Sequence, residues 1–178
     1  AAHAAPDHPH AEAWMSKAIE FWLNSISIRA DADDQTRIEG RPLADWHVGA
    51  NFFDHYALDH HGYLNVGYMV ICLSNLAMIH YSYERWGVAP PAAMYHHARD
   101  LWDVVRMMVF DDGRLARIGG DTRIRYCYCQ DYLIPALIFA ADHWRDDEAA
   151  RLLGGAIELI RMEQADNADG GFHSGRLA

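Results

Sequence analysis

Between Trp46 and Tyr68 the chain carries His47, Asn51, Asp54, His55, Tyr56, Asp59, His60, His61, Tyr63, Asn65 and Tyr68. Packing alone gives a loop no reason to gather so many ring donors and amides. Such a set suits a surface that stacks aromatic faces on sugar rings and bonds hydroxyls through His, Asn and Asp. Imidazole adds a group able to move protons near neutral pH. The same residues would also serve a polar loop that folds on itself and caps helices. A second concentration follows, with Arg114, Arg117, Arg123 and Arg125 inside twelve residues, then Tyr126, Tyr128, Gln130 and Tyr132. Planar guanidinium forks on this scale describe an anion subsite. The alternative is a solvated loop paired with Asp111 and Asp112.

The rest of the composition bounds these readings. The formal net charge of −10 argues against non-specific nucleic-acid binding, which runs on basic patches. It also disfavours a polyanionic partner unless basic groups are gathered at one place, as the arginine cluster gathers them. Hydrophobic residues make up 51% of the 178, enough for one domain with a real core. Three cysteines without regular spacing are no disulfide framework. Cys72 falls in the most apolar segment and reads as inert core. Cys127 and Cys129, one residue apart, could meet a metal, but a lone C-x-C is weak evidence, and H-E-x-x-H spacing is missing from the His-rich loop. No metal ligands are therefore assigned, and the expected chemistry requires no cofactor. The first ten residues have neither the basic start nor the apolar run of a signal peptide. The longest apolar stretch, 66–83, is interrupted by Ser74, Asn75, His80 and Ser82, so it reads as a buried helix and not a membrane span.

Periodicity supplies the elements that must position the two loops. Ala11, Met15, Ala18, Trp22 and Ile26 form one stripe of a helix over about 9–29. A second helix, from about Asn65 to Trp86, is apolar nearly all round and is stopped by Gly87 and Pro90-Pro91. A third starts at Pro90 or Pro91, with the stripe Met94, Ala98, Leu101, Val105 and Met108. A fourth spans about 131–144, with Pro135 placed near its first turn, and a fifth follows the Asp146-Asp147 cap to about Ala165. Apolar helices alternating with amphipathic ones and long polar loops describe an all-α fold of α/α hairpins in a ring or stack. About five helices fall short of a closed ring. The chain is therefore expected to be one helical domain over 1–178, an open arc or a portion of a larger protein with further domains.

The segments DHHGYLNVGYM and DGRLARIGGDTRIRYCYCQDYLIPAL, taken together, resemble the α/α-toroid polysaccharide lyases of the heparinase II/III-like and alginate-lyase-like families. The likeness covers roughly residues 51–165. It places His61 on the family's histidine, Asp112-Gly113 on its turn, and Asp131-Tyr132 with Pro135 on the start of its later helix. Counting forward from Gly113 puts Tyr128 on the catalytic tyrosine. Counting back from Tyr132 and Pro135 lands on Cys129, a one-residue conflict that only Tyr128 can satisfy chemically, and Tyr126 is the backup. Two departures stand out: His60 occupies the usual asparagine position, and the arginine before the tyrosine, Arg123 or Arg125, is closer than usual.

The resemblance implies β-elimination on a uronic-acid polymer, with an (α/α) toroid or incomplete barrel as scaffold and a secreted or periplasmic location. Removing a C5 proton α to a carboxylate requires that carboxylate to be neutralised while charge develops on it. His60, Asn51, Asn65, Arg123 and Arg125 are the candidates for that, with Tyr126 and Tyr68 as further substrate contacts. Tyr128 and His61 are the acid/base candidates. The expected partner is thus an acidic polysaccharide, not nucleic acid or membrane. Other readings remain open. A glycoside hydrolase needs two carboxylates about 5–10 Å apart, for which Asp54 and Asp59 are the nearest pair. A metal site in the 54–61 loop, a carbohydrate-binding helical module or a fragment lacking its catalytic partners are the others.

Overall fold

The computed structural model describes residues 2–60, 62–116 and 129–171. Five α-helices are present among them: α1 (Ala11–Ser25), α2 (Val66–Trp86), α3 (Ala98–Val105), α4 (Cys129–His143) and α5 (Asp147–Asn167). Two small antiparallel hairpins, β1 (Arg37–Ile38) with β2 (Arg41–Pro42) and β3 (Asp59–His60) with β4 (Tyr63–Leu64), are the paired strands. The expected helical fold class is therefore observed. No helix among the described residues is long and apolar enough to cross a membrane.

Local chemistry explains the helix ends. The Asn65 side chain accepts a hydrogen bond from the Tyr68 amide and caps α2, while Gly87, with φ 66°, closes it in the left-handed region that glycine tolerates. Asp146 caps α5, accepting from the Glu148 and Ala149 amides. The third helix departs from the expectation. Pro91 leads into a 3-10 turn (Ala92–Tyr95), His96 leaves the helical region with φ −55° and ψ 124°, and His97 is left-handed with φ 52°, so α3 begins only at Ala98. The stripe from Met94 to Val105 is buried as expected, but two backbone geometries carry it. The break arises where the His96 and His97 rings both turn toward Asp31. Pro135 is also deeper than expected, because α4 starts at Cys129. In α1 the deepest residues are Ile19 and Leu23, with Met15, Ala18 and Trp22 half-buried beside them.

Helices α2 and α4 form the centre of the core, and they run parallel. Gly67, at the start of α2, is so close to the start of α4 that a β-carbon there would lie 2.6 Å from Cys129 Sγ. At the other end His80 of α2 meets Phe139 and His143 of α4, with ring centroids 5.0 and 4.8 Å apart. Met69, Val70, Leu73, Ala77, Leu133, Leu137 and Ala140 close the space between. Trp102 of α3 donates its indole N–H to Asp146 at 2.8 Å, which ties the α3 side of the molecule to the start of α5. The turn at Asp112-Gly113 crosses α5 backbone to backbone: a β-carbon on Gly113 would fall 2.2 Å from the Ala156 nitrogen, and one on Gly155 would fall 2.8 Å from the Asp112 carbonyl carbon. A smaller cluster of Ile19, Leu23, Leu43, Trp46 and Ala93 seats α1.

Candidate functional site

The His-rich segment is more ordered than a plain loop. Phe52 bridges to Leu58, the Phe53 amide donates to the Ala57 carbonyl, and Tyr56 is left-handed at the tip with φ 60°. The β3–β4 hairpin then pairs Asp59 with Leu64 and His60 with Tyr63, and the Asp59 carboxylate accepts from the Gly62 amide at 2.8 Å. This hairpin delivers the chain directly into the Asn65 cap of α2. It sets the His60 ring edge-on to Tyr63 and Tyr68, with centroids 5.6 and 4.8 Å apart. His60, Tyr63 and Tyr68 thus form one aromatic group at the start of α2.

Asn51 and Asn65 are both near this group in sequence, yet their side chains do different things. The Asn51 amide donates to the Asn24 carbonyl at 2.6 Å, so part of its capacity anchors the loop to the end of α1. Asn65 is only 5% exposed. Its oxygen caps α2, while its side-chain nitrogen is buried without a hydrogen-bond partner among the described residues. A buried, unpaired amide donor is costly and calls for an acceptor. Because α2 and α4 are parallel, the start of α4 lies beside this donor. Gln130, in the first turn of α4, accepts from the Leu115 amide at 2.7 Å and donates to the Gly113 carbonyl at 2.8 Å, which joins the Asp112-Gly113 turn to the same end.

His61, Arg123, Arg125, Tyr126 and Tyr128 lie outside the described residues, as do Arg117 and Cys127. Arg114, the described member of the arginine cluster, is paired with Asp112 at 2.6 Å, and Arg151 takes Asp111 at 3.1 Å. The Arg114 hydrogen bond holds the Asp112 carboxyl below the usual range. At this described edge, then, the solvated ion-pair alternative applies. Cys72 is an inert thiol, pushed up to about 11 by burial.

A second constellation was not legible in the sequence. Asp31, 3% exposed and on the 3-10 turn Arg29–Asp33, faces two consecutive histidines from the break before α3. His97 Nε2 lies 2.8 Å from Asp31 Oδ1, and His96 Nε2 lies 3.4 Å from Oδ2. The Ile28 amide donates to the same carboxylate at 3.0 Å, Asp100 stands 3.4 Å from His97 Nδ1, and the Tyr56 ring covers His97 with centroids 5.0 Å apart. Burial pushes the His96 imidazole down, helped by its neighbour His97. Burial would raise the Asp31 carboxyl, but its bonds to His97 and the Ile28 amide hold it below its ordinary value. The available signal was the His96-His97 pair itself; its partner lies some sixty residues earlier, where no local spacing reveals it. A third candidate, His80 with its Nδ1 2.7 Å from the Tyr95 hydroxyl, is enclosed by Phe139 and His143 and reads as packing. Compared with known proteins, the chain matches no family model, no curated protein and no solved structure.

Proposed function

We propose that the chain is the helical part of a polysaccharide lyase that cleaves a uronic-acid polymer by β-elimination. In this reading its helices are α/α hairpins of an incomplete toroid, with parallel α2 and α4 inside and α1, α3 and α5 outside. One observation carries the proposal. The start of α2, with its Asn65 cap, Tyr68 and the His60 ring packed beside them, lies against the start of α4 at Cys129, the residue that follows Tyr128 in the chain. The two helix starts that meet there are each continuous in sequence with a segment carrying the residue types needed for elimination.

The division of labour follows from the chemistry. His60 and the unpaired Asn65 nitrogen supply donors for the uronate carboxylate, with Arg123 and Arg125 as its charge partners. Tyr68, Tyr126 and Asn51 are the remaining sugar contacts. Tyr128 exchanges the proton between C5 and the leaving oxygen, and His61 is the second base.

The test is an ultraviolet assay for unsaturated uronate product, which hydrolysis does not form. The intact chain should release it from a polyuronate and not from a neutral glucan. Tyr128→Phe should lower kcat at least about a hundredfold with little change in affinity. His61→Ala should abolish turnover, and Tyr126→Phe should have a mild effect. Arg123→Ala and Arg125→Ala should weaken binding in a salt-sensitive way. Near-wild-type product formation by Tyr128→Phe, or no product from any polyuronate, removes the reading.

A further inference from the structure

We propose that Asp31, His96 and His97 bind a divalent transition-metal ion of the zinc class. The inference stands apart from the lyase reading, because it rests on different residues. One ligand atom from each of the three lies within 4.8 Å of the other two. Tetrahedral zinc with bonds of about 2.0–2.1 Å places its donors about 3.3 Å apart. His97 Nε2 at 2.8 Å from Asp31 Oδ1 and His96 Nε2 at 3.4 Å from Oδ2 are of that order, so an ion between the rings would be held through one or both carboxylate oxygens. Two imidazole nitrogens with one carboxylate oxygen favour zinc, cobalt or nickel over calcium or magnesium, which take all-oxygen sets.

The surroundings match what a metal site requires. Asp100 at His97 Nδ1 is positioned to hold that ring with Nε2 facing inward, the carboxylate–histidine arrangement common behind zinc ligands. The Ile28 amide fixes the Asp31 carboxylate. The backbone also makes sense in these terms. Two consecutive residues of a regular helix or strand point in different directions, and the left-handed His97 turns both rings onto one carboxylate. Three protein donors leave a fourth position for water or another ligand, as in zinc sites that do chemistry.

The experiment uses the whole chain, stripped with a chelator and titrated with cobalt(II), whose tetrahedral complexes give an intense visible band. One equivalent should bind with that band, and zinc should displace it. His96→Gln removes the ligand with the longer contact to Asp31, which leaves the Asp31–His97 bond in place; it should weaken cobalt binding more than about a hundredfold. Asp100→Asn, at an exposed position, should weaken it about ten- to a hundredfold. His8→Ala with His10→Ala, on the exposed N-terminal segment, should leave it unchanged. Circular dichroism of each variant confirms the fold. A band that is absent, that survives His96→Gln, or that disappears with His8 and His10 would overturn the proposal. In those cases Asp31 and His97 are simply a buried hydrogen-bonded pair that pins the 3-10 turn to α3.

Discussion

Asp146 shows how much one side chain does in this protein. One carboxylate oxygen caps α5 through the Glu148 and Ala149 amides, and the other accepts from Trp102. Arg99 and Arg106 stand 3.6 and 3.9 Å from it. Asp146→Ala should cost about 2–4 kcal/mol, the sum of a lost cap at about 1 and a buried indole N–H left unpaired at about 1–3. Asp146→Ser keeps a capping oxygen but is too short for Trp102, so it should recover only the cap, about 1 kcal/mol. Urea denaturation of the two variants checks this; equal stabilities would mean that the cap contributes nothing. The cap was legible because an Asp-Asp pair before an apolar period is a start signal. Its bond to Trp102 was not, since 44 residues separate the two.

The same division holds for whole elements. α2 was readable nearly to the residue, because its start and stop are set by Asn65 and Gly87, whose side chain or lack of one acts locally. α3 was misread at its start because the interruption at His96-His97 comes from Asp31, a tertiary partner that periodicity does not register. The 21 residues of α5 offer a direct test of local against tertiary control. Gly154 meets nothing within 4 Å of an added β-carbon, whereas the carbon on Gly155 would run into the backbone of Asp112 and Gly113. Gly154→Ala should stabilise by about 1 kcal/mol through helix propensity. Gly155→Ala should destabilise despite the same propensity gain, since backbone must move to admit it. Thermal melts of the two read the sign, and a stabilised Gly155→Ala would refute the close crossing.

For the molecule as a whole, burial sets the response to acid. Desolvation lowers both the His96 and His143 imidazoles, with His97 and His80 adding to it, from an ordinary value of 6.5. The unfolded chain then takes up protons first, so stability is full above that value and declines as pH falls below it. Asp31 and Asp146 titrate below 3.8 because their hydrogen bonds outweigh burial. Their contribution persists above 3.8 and is lost as pH drops through their lowered folded values. Metal-free protein should therefore lose stability in two stages, the first between about pH 7 and 5. His96→Gln should shrink that first stage and leave the second. A stability profile flat through the histidine range would contradict the lowered His96 and His143 imidazoles. The candidate surface was partly legible at this scale too. Residue type picked out the 46–68 loop, while the parallel packing of α2 and α4 that sets the start of α4 beside it depends on Gly67 and Cys129, which no local pattern pairs.

The crossing of Gly113 and Gly155 has a consequence for how such a chain can diverge. Two backbones in contact leave each position closed to every other residue type, whatever the surroundings become, because the obstruction is main chain and no compensating side-chain change removes it. Drift is blocked at both partners together, while Gly154, one position away and facing open space, is free to change. A lineage sharing this fold should keep the pair fixed through any replacement of the segments that flank it.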